Sequence, residues 1–333
     1  MPRRHERLGE FEAIELLRGL FDGPAKSVAA VGIGDDAAVL RWRKESVVWT
    51  VDANVEGVHF EREWLSLSDV GWRSFQAAVS DLAAMGARPV AALSSLVLPA
   101  GFQSRQLRQL GVGQADAARA WRCPVLGGNI AKGTALSVTT TVLGEAEKAL
   151  LRSGACTGDE LWLVGEIGLA TAGWQSLKRV GPNRARAWSA RRSVLARALV
   201  RCLQAWRRPV ALLHRGRQLV GRASAVIDVS DGLAGDAGKL AAASGTRVII
   251  ETDALERVIL PELRVVAQWL GTSARELALA GGEDYALLAC GPPKRRPRWA
   301  RRIGRIEAGA GAALEGHRVV TALEAGFDHL LEG

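Results

Sequence analysis

The chain has 333 residues, 48% of them hydrophobic and 24% charged, ordinary proportions for a soluble globular protein with room for two domains. Its net charge of +9 does not mark a nucleic-acid binder. Thirteen Lys and Arg and no Asp or Glu lie between Ile167 and Ile227, so the rest of the chain is net acidic. No apolar run approaches the ~20 residues that span a bilayer, and the opening MPRRHERLGEFEAIELL lacks the apolar core of a signal peptide. Cys123, Cys156, Cys202 and Cys290 lie far apart with no CxxC pair, which argues against a zinc ribbon or a disulfide framework. The expected compartment is the reducing cytoplasm, with no membrane partner.

In chain order, AVL followed by SVVWTVDA predicts a hairpin leading into a buried strand. LSLSDVGWRSFQAAVSDLAAMG predicts a helix with Ser68 and Asp69 available as N-caps. PVAALSSLVLP predicts a strand, QSRQLRQLGVGQADAARAW a helix and ALSVTTTVLGEA a further strand. After RSGACTGDELWLVG the alternation restarts with a strand, a long helical region, SAVIDVSDG, a helix, VIIETDAL and YALLAC. This is an α+β pattern met twice, with a boundary near Ala146 to Ser153, giving expected domains 1–146 and 147–333. In the acid-free segment Trp188, Leu195, Leu199, Cys202 and Trp206 recur at helical spacing, with Arg191, Arg197, Arg201 and Arg208 around them. A solvated amphipathic face is expected there, and the alternative is a contact for a phosphate-rich or acidic partner. KRRPRWARR, from Lys294 to Arg302, reads as a surface loop entering a helix.

Across these elements run the acidic motifs GIGDDAAVL, TVDANVEGVHF, VSDLAAMGA, VIDVSDGLAGD and GGEDY, with LGGNIAKG among them. Most set a carboxylate beside glycine, serine or a strand end, where it is poorly tolerated unless it is paired or holds a cation. Hard cations such as Mg²⁺ take oxygen ligands and bridge protein to phosphates. Asp35, Asp36, Asp52, Asp81, Asp228 and Asp231 therefore suggest a multi-metal phosphate site, with Asn129 standing where a carboxylate would fit the pattern. GGNIAKGT puts its lysine on the wrong side of the glycine for a P-loop. Gly32-Ile33-Gly34-Asp35-Asp36-Ala37 mimics a dinucleotide fingerprint, but its two aspartates would meet a pyrophosphate, and AAVLRWRKE is too short and strand-like for the crossover helix. No G-x-S-x-G elbow of a serine hydrolase is present.

In this order and at these separations, the five acidic motifs resemble the thiamine-monophosphate kinase family. That family is part of the aminoimidazole-ribonucleotide synthetase-like (PurM-like) group, which includes selenophosphate synthetase. The resemblance runs from Gly9-Glu10-Phe11 to Gly326-Phe327-Asp328-His329. It implies a two-domain α+β fold, in which the N-terminal sheet forms a barrel with that of a second subunit. A C-terminal α/β sandwich domain then covers an ATP cleft. The resemblance further implies Asp36, Asp52, Asp81 and Asp228 as Mg²⁺ ligands, with Thr50 assisting, Asn129 in a ligand position and Asp231 holding a further ion. Gly128, Arg152 and Ser230 are implied as ATP contacts, and His59, Glu283 and Phe327 as contacts to thiamine monophosphate. The implied reaction is direct in-line phosphoryl transfer from ATP as co-substrate to thiamine monophosphate, with no phospho-enzyme. ATP and a monophosphate acceptor bring about six negative charges together, which repel unless several cations bridge them.

Plainer roles exist for each position. Asp36 would serve a turn, Asp228 and Asp231 an Asx-turn and a cap, His59 the local structure, and Glu283 and Asp284 the start of a strand. Tyr285 would be core, and Arg152 a partner for Asp159 or Glu160. Three stretches depart from the family pattern: Gly127-Gly128-Asn129-Ile130-Ala131 in place of GGDTT, Val51 in place of threonine, and Arg208-Pro209-Val210-Ala211-Leu212 in place of Arg-Pro-x-Pro-Arg. The first two are expected to weaken one cation position. Two other functions remain open: an ATP-dependent enzyme of the same superfamily with another small acceptor, and a nucleotide-binding protein that has lost catalysis.

Overall fold

The computed structural model describes residues 29–31, 35–42, 45–189, 191–316 and 319–323. The outermost motifs, Gly9-Glu10-Phe11 and Gly326 to His329 with Phe327, lie outside the described residues, as do Gly32, Ile33 and Gly34. The rest is a mixed α+β fold built on two sheets. The first contains β1 (Ala29–Val31), β2 (Ala38–Trp42), β3 (Glu45–Val55), β4 (Arg88–Pro99), β5 (Val125–Gly133) and β6 (Ser137–Ala146), in the order β1-β2-β3-β6-β4-β5. Only β4 and β5 run parallel, because the Ser104–Trp121 helix crosses between them.

Alternation along β3 sorts the faces of this sheet. Val48, Thr50 and Asn54 are buried, while Trp49 and Val51 are exposed. The buried face is covered by the Leu67–Ala84 and Ser104–Trp121 helices, with Ser94 of β4 bonded to Gln114. The Leu67–Ala84 helix is capped by Ser66, whose Oγ accepts from the Asp69 amide at 3.1 Å. Ser68 and Asp69, expected as caps, therefore fall in its first turn, two and three positions after the actual cap. LGGNIAKG, which carried no periodicity, forms β5, the open edge of the sheet.

The second sheet contains β7 (Glu160–Val164), β8 (Ala225–Val229), β9 (Arg247–Glu251), β10 (Ala286–Gly291), β11 (Arg301–Glu307), β12 (Gly311–Gly316) and β13 (Val319–Ala322), in the order β13-β12-β9-β11-β7-β10-β8. Strands β8 and β10 are buried throughout, which explains their continuous apolar runs. On one face Leu161, Ile227 and Leu288 pack with residues of the Leu169–Val180, Val194–Arg207 and Leu233–Ser244 helices. On the other, Trp162, Val226 and Leu287 pack with Phe75, Val79 and Leu82 of the Leu67–Ala84 helix. That helix is thus held between the two sheets.

The Val194–Arg207 helix buries Leu199, Cys202 and Trp206 and leaves Arg197 and Arg201 exposed, the solvated amphipathic face expected from its spacing. The basic run from Lys294 to Arg302 enters β11 rather than a helix. Pro297 disfavours helix before it, and Gly304 lies so close to the Ile249 carbonyl of β9 that a Cβ would strike it. All four cysteines are free, with only Cys156 exposed. No helix among the described residues is long and apolar enough to cross a membrane.

Candidate functional site

The Leu67–Ala84 helix brings Ser80 and Asp81 to the place where the first sheet faces β8. Asp81 meets Thr50 of β3, whose hydroxyl donates to Asp81 Oδ2. Asp228 is at an even position of β8, on the same face as Val226, so it points at this helix and accepts from Ser80 Oγ at 2.7 Å. The turn before β2 supplies Asp36. One carboxylate oxygen from each of Asp36, Asp81 and Asp228 lies within 4.8 Å of the others. Arg152 donates from Nη2 to Asp36 Oδ1 at 2.7 Å, and its amide to Asp35 Oδ2 at 3.1 Å. It does not take Asp159 or Glu160, which bond the Cys156 amide and Arg296 instead.

The charges in this cluster are under-compensated. Burial pushes Asp81 well above the usual carboxylate range, and Asp228, Asp36 and Asp52 add to the rise against the Thr50 bond. Burial raises Asp228 in the same way, with Asp36 and Asp236 contributing and Ser80 and Arg152 opposing. Asp35 is pushed up to about 6, first by burial and then by Asp36. Asp36 Oδ2 is buried with no hydrogen-bond partner. Three converging carboxylates with an orphaned oxygen are the donor set of a hard divalent cation, so these residues fit Mg²⁺. Asp52 stands beside this group and accepts from Asn54 Nδ2 at 2.7 Å.

Beyond β8, a second carboxylate organises the turn. Asp236 Oδ2 accepts from the amides of Ser230 and Asp231 at 3.0 and 3.1 Å. Lys239 pairs with both Asp231 and Asp236. Asp236 and Lys239 were not singled out in the sequence, although a carboxylate three residues before a lysine on a helix is a readable pair. Opposite this turn lies GGEDY, where the Glu283 amide donates to the Ser230 carbonyl at 2.7 Å. Glu283 and Tyr285 both have positive φ, 63° and 50°. Asp284 accepts from the amides of Gly168 and Ala170 at 2.5 and 3.1 Å, so it caps the Leu169–Val180 helix rather than a strand. Tyr285 is buried, as a core residue should be.

The remaining positions are not drawn into the cluster. In the turn after β3, His59 Nδ1 accepts from the Val55 amide at 3.2 Å. Strand register pairs Asn129 with Ser95, Ser95 with Thr139, and Thr139 with Ala53. Directly paired residues share a face, and Ala53 is on the exposed one, so Asn129 lies opposite Asp52. Val51 is 63% exposed on that same outer face. Val51 and Asn129 are three strand spacings apart, roughly 14 Å, so within one chain they cannot serve a single ion. Gly128 has φ 154°, and a Cβ there would strike the Ser94 carbonyl, so only glycine fits.

Comparison with known proteins bears on this geometry. The model of the AIR synthase related protein N-terminal domain matches residues 34–146. The thiamine-monophosphate kinase of Aquifex aeolicus is 32% identical over 321 residues, spanning 95% of this chain and 97% of that protein. The solved structure of AaThiL complexed with AMPPCP and TMP superposes with a TM-score of 0.86 at 30% identity, covering 99% of each chain. A thiamine-monophosphate kinase structure from Stenotrophomonas maltophilia gives a TM-score of 0.72 at 32% identity, covering 94% of this chain and 98% of that one.

Proposed function

Because the chain belongs to the thiamine-monophosphate kinase family, we propose that it transfers the γ-phosphoryl group of ATP in line to thiamine monophosphate, giving thiamine diphosphate. The observation that carries this reading is the convergence of Asp36, Asp81 and Asp228 around an orphaned Asp36 oxygen. Bound there, Mg²⁺ would neutralise phosphate oxygens and the charge that develops during transfer. Thr50 and Ser80 orient Asp81 and Asp228 for that role, and Asp52 adds a further carboxylate beside them. Arg152, already at the cluster, would turn its guanidinium to a phosphate, and Ser230 would offer a hydroxyl at the end of β8. For Asp231 to hold another ion, Lys239 would have to leave it. His59, Glu283 and Phe327 are assigned to the acceptor. No side chain is needed as a covalent nucleophile.

The working unit on this reading is a homodimer of two-domain chains, 1–146 and 147–333. The exposed Trp49, Val51 and Leu93 share the outer face of the sheet, an apolar face that fits a second copy and would close a barrel. Asn129, on the edge strand, shares that outer face and would act from the interface, whereas Gly128 pairs with Ser94. Four free thiols suit the cytoplasm. The decisive experiment is a coupled assay of ADP release with and without thiamine monophosphate at several Mg²⁺ concentrations. Release that requires both supports the kinase. Release indifferent to thiamine monophosphate points to another acceptor, and ATP binding without release points to lost catalysis.

A further inference from the structure

One buried charge is left unexplained by the carboxylate cluster. Arg73, on the Leu67–Ala84 helix, is wholly buried and pairs through Nη2 with Glu283 Oε1. Its Nη1 donates to the Trp206 carbonyl at 2.8 Å, and its guanidinium lies over the Trp206 ring, 5.1 Å from the centroid. Trp206 in turn donates from Nε1 to Glu283 Oε2 at 3.0 Å. Each of the three side chains therefore touches the other two. They come from the first sheet's helix, the acid-free arginine-rich segment and the GGEDY turn.

A purely structural role fits this triad poorly. Burying an ion pair costs desolvation that an apolar pair of similar volume would avoid. Glu283 also has φ 63°, unfavourable for a residue with a Cβ and maintained only where the surroundings fix it. Its side chain keeps 31% exposure while that of Arg73 has none. The carboxylate is thus gripped from behind on both oxygens and open in front. Its amide is tied to Ser230, two residues from Asp228, which holds it at the rim of the metal cluster.

We propose that Arg73 and Trp206 are positioning residues that fix the Glu283 carboxylate as the recognition group for the cationic heteroaromatic part of the acceptor. This rests on the assignment of Glu283 to the acceptor. Arg73 holds one carboxylate oxygen and Trp206 the other, which fixes the rotation of the group, so its outward lone pairs meet a cationic ring or its amino group.

The test is calorimetric binding of thiamine monophosphate to the full chain with Mg²⁺ and AMPPCP, together with steady-state kinetics. The variants are Trp206→Phe, which keeps the ring and removes the donor, Arg73→Lys, which keeps the charge and removes the fork, and Glu283→Gln. Trp206→Phe should raise both Kd and KM for thiamine monophosphate about tenfold, the worth of one hydrogen bond to a charged group. KM for ATP and kcat should stay within about twofold, because only acceptor binding is changed. Arg73→Lys should have the larger effect; if it does not fold, Trp206→Phe decides. Wild-type acceptor affinity in a folded Trp206→Phe protein would overturn the proposal. So would equal weakening towards both substrates, the mark of a structural role. If the wild-type chain binds no thiamine monophosphate, or Glu283→Gln binds it normally, the acceptor assignment itself fails and this inference falls with it.

Discussion

The carboxylates of Asp36, Asp81 and Asp228 and those of Glu251, Glu307 and Glu315 are the same chemistry in opposite surroundings. On the second sheet, Glu251 takes Arg302 in a two-pronged bond at 2.6 and 2.5 Å, and Arg305 does the same with Glu315 at 2.6 and 3.0 Å. Arg305 also reaches Glu307 at 2.8 Å. The Arg302 bonds hold Glu251 below the usual carboxylate range. Charge there is matched on neighbouring strands in partial contact with water. In the cluster, the Arg152 guanidinium pairs with Asp36 alone of the three carboxylates, and burial drives Asp81 and Asp228 upward. Saturated charge serves the fold, whereas unsaturated buried charge marks a candidate ligand site.

The largest effect that would break this contrast is on activity. Asp228→Asn or Asp81→Asn should lower Mg²⁺-dependent ADP release on the order of 10²–10³-fold, yet leave the metal-free melting temperature unchanged or higher, since like-charge repulsion is relieved. A large loss of metal-free stability with release intact would make the cluster structural.

Next comes assembly. Val51→Glu on the exposed sheet face should convert a species of about twice the 35.5 kDa chain mass into a monomer, as read by light scattering. An unchanged mass would remove that face from the interface.

Ligand linkage follows. With ATP present, Mg²⁺ at about 100 times its dissociation constant should stabilise the fold by about 2.7 kcal/mol, reversed by a chelator. Glu251→Gln should retain that gain in full, and losing it would mean that the two regions are not separate.

The pH response sharpens the contrast by sign. Burial pushes Asp284 from 3.8 to about 7, against the Gly168 and Ala170 bonds. The folded state then holds its proton more tightly than the unfolded chain. Stability is lost as pH rises from about 4 to about 7. Asp284→Asn should flatten that fall in thermal melts. Glu251 is shifted downward from 4.5, so its contribution is present above that value and is lost as pH falls through the lowered one. Glu251→Gln should therefore change the acid side only, by no more than about 1 kcal/mol for so exposed a pair. Identical pH profiles for the two variants would contradict the distinction.

Legibility in the sequence followed the range of the interactions. Alternation in SVVWTVDA and the apolar runs around Ile227 and Leu288 announced β3, β8 and β10, since each reports its own burial. Chemistry was legible too, because acidic residues beside glycine and serine are conspicuous in an otherwise ordinary chain. The edge strand β5 was hidden, as eight of its nine residues face solvent and its glycines leave no pattern. Strand β11 was hidden because its arginines read as a solvated run until Glu251 of β9 stood beside them. The Ser66 cap was missed by two positions, within a stretch where three residues of capping type lie close together.

By itself, the sequence determined which segments are helix or strand wherever burial is periodic, which residues carry charge, and what kind of ligand such charge suits. Only the tertiary structure decided which charges lose their water and which find partners. Arg152 reaches Asp36 across 116 residues, and Arg73 reaches Glu283 across 210. Register likewise turned Asn129 away from Asp52, through strands β6 and β4 that lie between them in the sheet. Local propensity extends over a few residues, whereas desolvation and pairing depend on what is brought alongside.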